Sequence, residues 1–235
     1  MAPNTIMQRA LDSTDIVAQL DAEGYAVLPR AFAPDQAREL AAQVDTLKSL
    51  HRVSLNSIDL GLGNMLRFAS KLPAPWATWR DALYRGLAPV ANHWNEALGV
   101  KYRYPAELEA FLLLNREAGQ TQPLSHLNRL GAGDYLALHQ SNEGDHVFPL
   151  QVVALLSEPG KDFHGGEFVL TEQRPRMQSR PMVLPLGLGD MAIISTAKKP
   201  FKGGKGFYRV NLKHAISRVH RGERIGVELS FHDAP

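Results

Sequence analysis

Cysteine is absent from the 235 residues. That excludes disulfides, thiolate metal sites and cysteine nucleophiles together, so a metal here has to sit on His, Asp or Glu. An excess of one charge is lacking too, since 26 Lys and Arg stand against 24 Asp and Glu for a net charge of +2. No global field draws this chain to a polyanion, so duplex nucleic acid is not an expected partner and any anion site needs a local patch. No apolar run approaches the roughly 20 residues that span a bilayer, and no basic-then-apolar leader opens the chain. The expectation is a cytoplasmic protein with no membrane association. What is present is ordinary for a globular chain: 44% hydrophobic and 21% charged residues, in a length that suits one large domain over 1–235.

The two parts of the chain carry different periodicities. Residues 1–14 read as a polar lead-in, Ser13-Thr-Asp15 as a helix start, and Ile16 to Ala22 as a short helix stopped by Gly24. Tyr25 to Leu28 reads as a strand. Pro34 opens an amphipathic helix over 35–50, and 51–74, with no clear period, reads as surface loop. Trp76, Trp79, Leu83, Leu87, Val90, Trp94 and Leu98 step by three and four, so a long helix should lay an aromatic stripe on a sheet. A third helix follows Pro105 and stops at Gly119. Thereafter apolar or alternating runs (Tyr135–Gln140, Val147–Ser157, Glu167–Glu172, Met191–Thr196, Phe207–Lys213, Ile225–Phe231) are separated by Gly and Pro signals. Helices over 15–120 and then strands over 125–235 predict an α+β fold. Its core would be a double-stranded β-helix, a cupin-like jelly roll, with the N-terminal helices packed on the sheet.

Of nine histidines, His51, His93, His126, His146, His164, His220 and His232 read as ordinary polar groups. His139 and His214 stand apart because each ends a predicted strand, where a jelly-roll mouth can bring them together. Arg224 follows ten residues after His214. Alternation puts Arg224, Gly226, Glu228 and Ser230 on one strand face, with Ile225, Val227, Leu229 and Phe231 on the other.

From about Ile16 to Pro235 the chain resembles a bacterial family of iron(II)/2-oxoglutarate-dependent oxygenases that has an association with damaged-DNA repair. The resemblance is carried by Pro89-Val-Ala-Asn-His-Trp94, Gly133-Asp-Tyr135, Leu138-His-Gln140, Gly144-Asp-His-Val-Phe-Pro-Leu-Gln151, Leu155-Leu-Ser-Glu-Pro-Gly160, the run Gly165 to Arg180, Tyr208-Arg-Val-Asn-Leu212 and Phe231-His-Asp233. It implies Fe(II), 2-oxoglutarate and O2 as cofactors, and His139 and His214 as iron ligands. It implies Arg224 as the partner of the far carboxylate of 2-oxoglutarate, with Arg221, Arg218 and Tyr135 as further cofactor-side candidates. Arginine suits this role because its planar fork meets a carboxylate at two points.

The chain departs from the family at two positions. Where His-x-Asp supplies the third iron ligand, it reads His139-Gln140-Ser141, and Gly226 replaces the hydroxyl residue usual two positions after the Arg. Serine is a weak iron(II) ligand, so the resemblance implies a vacancy of one ligand and one negative charge. The family's relatives that lack this carboxylate are halogenases, which fill the place with chloride. The leading expectation is therefore a halogenase of a small molecule, with Ser141 at the halide. A hydroxylase with Glu143 or Asp145 as replacement ligand, a non-catalytic binding module and a DNA-repair oxygenase stand beside it. Lys198, Lys199, Lys202 and Lys205 fall on what reads as a Gly-rich surface loop just before the strand that carries His214. With Asn142 and Glu143 they are the substrate candidates, and they favour an anionic small molecule such as a nucleoside monophosphate.

Overall fold

The computed structural model describes residues 14–44, 46–47, 50–69 and 72–235. The polar lead-in up to residue 13 lies outside them. Two antiparallel sheets face each other, and each strand alternates between an outer and an inner face. The larger sheet runs in the order β1 (Tyr25–Leu28), β12 (Met191–Ser195), β8 (Leu150–Leu155), β16 (Arg224–Leu229), β6 (His126–Leu130), β4 (Asn64–Phe68) and β2 (Leu50–Ser54). The smaller runs β11 (Arg180–Leu184), β10 (Phe168–Gln173), β14 (Gly206–Ile216), β7 (Tyr135–His139) and β3 (Gly61–Leu62), with β13 (Lys198–Gly203) also on β14. Two short pairs complete it, β15 (Val219–Gly222) with β9 (Phe163–Gly165) and β17 (Asp233–Ala234) with β5 (Gln122–Pro123). This is the expected α+β jelly roll.

Helices α1 (Thr14–Glu23), α2 (Pro34–Gln43), α3 (Trp76–Ala97) and α4 (Leu108–Glu117) precede most of the strands. The aromatic stripe of α3 behaves as expected. Trp76, Trp79, Leu83, Leu87 and Trp94 are buried in one core with Leu127, Val152, Ile193, Val227 and Leu229 from the outer face of the larger sheet. The second core lies between the sheets, where Leu130, Val153, Leu155, Phe168, Leu170, Ile194 and Ile216 meet. Among the described residues no helix is long and apolar enough to cross a membrane.

Three expectations need correction. Residues 51–74 are not one surface loop, because β2, β3 and β4 fall in that span. β6 was not expected either. In β4 and β6 the inward positions include Arg67, His126 and Asn128, which line up across the sheet as Arg67↔His126 and Asn128↔Gly226. Polar inward residues erase the apolar alternation that marks a strand. Finally, the lysine-rich stretch is no loop but the β13–β14 hairpin, with Lys198 opposite Asn211 and Lys202 opposite Phe207.

That hairpin separates its lysines. Lys199 is 1% exposed, and its Nζ donates to the carbonyls of Asp21 and Ala22 at 2.7 and 2.9 Å. Its Nζ also lies 3.7 Å from the buried Glu172 carboxylate. It ties the last turn of α1 to the sheet and cannot receive a substrate anion, whereas Lys198 and Lys202 are exposed. Lys199→Ala should therefore cost on the order of 3 kcal/mol by urea unfolding, since it strips a partner from a buried carboxylate. Lys198→Ala and Lys202→Ala should change stability by less than about 0.5 kcal/mol.

Candidate metal and cosubstrate site

The polar end of the space between the sheets holds the site. In the pairing of β7 with β14, Leu136 stands opposite Ile216 and His139 opposite His214, with a register shift between them. Three residues on β7 thus match two on β14. This bulge lets both Leu136 and His139 face inward although they are an odd number apart. The two imidazole rings sit 4.1 Å apart between centroids. His139 ends its strand, as expected; His214 lies inside β14 rather than at its end.

Across from them, β16 presents Arg224, Gly226 and Glu228 on its inner face, pairing with Leu130, Asn128 and His126 of β6. Glu228 Oε2 lies 3.4 Å from His214 Nε2. Ligand atoms of His139, His214 and Glu228 all fall within 4.8 Å of one another, and among the described residues this is the one His/Asp/Glu cluster that could hold a metal ion. Two histidines and one carboxylate are the donor set of the facial arrangement of non-haem iron.

The surrounding groups orient these three. The Nδ1 of His139 lies 2.9 Å from its own Ala137 carbonyl, a contact that places the proton there and leaves Nε2 free to ligate. Asn128 Nδ2 donates to Glu228 Oε1 at 2.7 Å, and His126 Nε2 lies 3.6 Å from the same oxygen. Glu228 Oε2 is buried and has no hydrogen-bond partner. One carboxylate oxygen is thus held by β6 and the other is left for a ligand. Gln151 Nε2 stands 3.2 Å from His214 Nε2.

Electrostatics agree with the geometry. Burial opposes ionisation of Glu228, but His126 and His214 outweigh it and hold its carboxyl well below the usual range. Burial, followed by the neighbouring His214, pushes His139 down to about 4, so its ring is neutral and ligand-ready at neutral pH.

Arg224 is 3% exposed. Its Nε donates to the Gly166 carbonyl at 2.8 Å, while Nη1 is buried without a partner. Two glycines make this possible. A Cβ on Gly226 would stand 3.0 Å from Arg224 Nη1, and one on Gly166 (φ +66°) would stand 3.0 Å from Arg224 Cδ. The guanidinium therefore folds over Gly226 towards Glu228, and Gly226 in place of a hydroxyl residue is the clearance it needs. An orphaned, buried Arg nitrogen on the same strand face as Glu228 of the candidate metal cluster fits a small dicarboxylate's far end. Burial lowers this guanidinium to about 10, so it stays charged at neutral pH.

The other expected site residues divide. Ser141 and Glu143 line a small cavity of about 80 Å³ with His139, His126, Gln140 and Arg67. Neither Glu143 nor Asp145 joins the metal cluster; Asp145 is exposed and lines a separate cavity of about 440 Å³ with Asn142 and Lys198. Two cofactor-side candidates have partners of their own outside the cluster. Tyr135 alternates to the outside of the inward Leu136 and lies beneath the Arg218 guanidinium, 5.8 Å from its ring centroid. Arg221 is exposed and pairs with His164 at 3.0 Å. Lys202 belongs to a surface groove with Phe201 and Phe207. Glu228, Asn128, His126 and Gln151 had not been singled out, although alternation already placed Glu228 on the face of Arg224.

Comparisons with known proteins agree with this fold. Residues 63–234 match the Oxygenase-NA family, described as an oxygenase catalysing oxidative methylation of damaged DNA. Two uncharacterized proteins of Mycobacterium tuberculosis are 40% identical over 155 residues, a match that spans 66% of this chain and 66% of each of theirs. Among solved structures, a Pseudomonas putida prolyl-4-hydroxylase overlays with a TM-score of 0.52 at 13% identity, covering 94% of this chain and 98% of that one. An oxidoreductase of the 2OG-Fe(II) oxygenase family from Burkholderia pseudomallei overlays with 0.52 at 18% identity, covering 94% and 91%. These structural likenesses establish the jelly-roll fold.

A pH dependence follows from the buried imidazoles. His139 and His232 both fall from the ordinary 6.5 to about 4 through burial. The unfolded chain then binds more protons than the folded one between those values, so stability is lost as pH falls through that window. His126 moves the opposite way, raised by Glu228 despite its burial, so its stabilisation is lost only above pH 6.5 and stays constant through this window. Melting of the metal-free protein should fall between pH 6.5 and 4, and His232→Gln should flatten the slope. An unchanged slope in that variant would contradict a neutral buried His232.

Proposed function

The chain belongs to the Oxygenase-NA family, and from that premise we propose an iron(II)- and 2-oxoglutarate-dependent oxygenase of the hydroxylating type that acts on a small molecule. The observation that carries this is the His139–His214–Glu228 cluster. A missing carboxylate after His139 is made good from the opposite sheet, so two neutral donors and one anionic donor converge. The partnerless Glu228 Oε2 and Arg224 Nη1 are the features that fit the absent groups: the first a metal ion, the second a cosubstrate carboxylate.

With iron(II) and 2-oxoglutarate bound, the site would supply dioxygen activation for insertion of an oxygen atom into a C–H bond. The chain's own part is positioning. His139, in the tautomer set by the Ala137 carbonyl, and His214 would hold two positions, Asn128 and His126 fix the Glu228 carboxylate, and Arg224 anchors the cosubstrate's distal end. Apolar neighbours Leu130, Leu155 and Phe168 keep water away from that end.

This reading replaces chloride and a halide role for Ser141. The case for a halide rested on a deficit of one ligand and one charge, and Glu228 removes both. The substrate side changes as well, since Lys199 is consumed by α1 and the nucleotide argument loses its central cation. The family description speaks of damaged DNA; a net charge of +2 offers little to a polyanion, and a small-molecule substrate is the better fit.

Three variants separate the alternatives. Glu228→Gln should weaken iron(II) binding and 2-oxoglutarate turnover by about 100-fold or more, whereas Ser141→Ala and Glu143→Gln should stay within about threefold. The charge-transfer band of the anaerobic iron(II)–2-oxoglutarate complex should not respond to chloride. A saturable chloride shift, with Glu228→Gln still binding iron, would restore the halogenase.

A further inference from the structure

The small cavity beside the metal cluster has a cation with nothing to hold. Arg67 lies on the inner face of β4, directly across from His126 on β6. Its Nε is buried and has no hydrogen-bond partner, and no ion pair to Arg67 occurs among the described residues. It lines the cavity of about 80 Å³ together with His126, His139, Ser141 and Glu143. One wall of that cavity is therefore the candidate iron ligand His139, and another is an unmatched guanidinium.

The Arg67 side chain is only partly buried, but its Nε is removed from water, and a desolvated donor on a charged group is costly unless something meets it. Lys199 and Arg224 show how this chain normally treats a buried cation. Each is tied to backbone carbonyls, Lys199 to Asp21 and Ala22 and Arg224 to Gly166. Arg67 has no such tie. Glu143, which is exposed, stands at the same cavity without pairing to it. Glu228 lies just behind, at 3.6 Å from His126 Nε2. A second acid group entering this cavity would meet the Glu143 carboxylate on its wall, which leaves room for a single negative charge.

Resting on the iron site argued above, we propose that Arg67 receives a carboxylate of the substrate, so that the oxygenase acts on small monocarboxylic acids. A planar fork matches a carboxylate at two points, and binding there sets the acid group against the wall formed by His139. Carbon atoms near that group are then the ones offered to the metal. Arg224 on the opposite side keeps the 2-oxoglutarate role, so the two acids do not compete for one arginine.

The test uses the whole chain loaded with zinc(II) and 2-oxoglutarate, titrated calorimetrically with the proteinogenic amino acids, straight-chain monocarboxylates, the primary amide of each and inorganic phosphate. At least one acid should bind about tenfold or more tightly than its amide, and Arg67→Gln should remove that preference. Arg67→Lys should restore part of it. The affinity for 2-oxoglutarate, read separately from the anaerobic iron(II) charge-transfer band, should remain within about twofold in Arg67→Gln. The assignment is overturned if no acid outbinds its amide, if the preference survives Arg67→Gln, if phosphate binds most tightly, or if Arg67→Gln loses 2-oxoglutarate. Absence of the band in the unaltered protein overturns the iron reading itself. A band without any acid preference overturns Arg67 alone.

Discussion

A single buried carboxylate sets the terms for this protein. Glu228 is 4% exposed, and placing an anion between two β-sheets costs several kcal/mol unless its surroundings repay it. They do so from three directions: Asn128 and His126 on the neighbouring strand, His214 from the facing sheet, and Arg224 along its own strand. Apolar residues fill the rest of the inter-sheet space. The sandwich is thus dry at one end and charged at the other, and its chemistry is confined to the charged end.

The carboxylate also reaches the cluster by an unusual route within this architecture. A His-x-Asp pair delivers two ligands from one strand, so a single strand's register decides whether they meet. Here His139 and His214 come from paired strands of the smaller sheet and Glu228 from the larger one. Their meeting depends on how the two sheets face each other. The bulge between Leu136 and His139 and the glycines at 166 and 226 are local adjustments that make this convergence possible. Packing of the aromatic stripe of α3 on the larger sheet contributes to holding that sheet in place.

Much of this was legible in the sequence. The change from helical to alternating periodicity marked the jelly roll, and His139, His214 and Arg224 stood out by strand position and by resemblance. Alternation even put Glu228 on the same face as Arg224. It could not show what lies opposite that face, because the pairing of β16 with β6 and its position across from β14 are tertiary facts. A search for the lost carboxylate near His139 therefore reached Glu143 and Asp145, which are close in sequence and outside the cluster. The same limit hid β4 and β6: their inward residues are polar because they serve the site, so they lack a strand's apolar signature. For the lysines, composition signalled a solvated surface loop, while Lys199 is held by α1 carbonyls far away in sequence.

The most direct measurement is an anomalous difference map at the iron edge from anaerobic crystals of the iron(II)–2-oxoglutarate complex. The account predicts one iron peak within coordination distance of His139, His214 and a Glu228 oxygen, with the far carboxylate of 2-oxoglutarate against Arg224. An iron peak held by the two histidines and a halide, with Glu228 turned away onto Asn128 and His126, would contradict it.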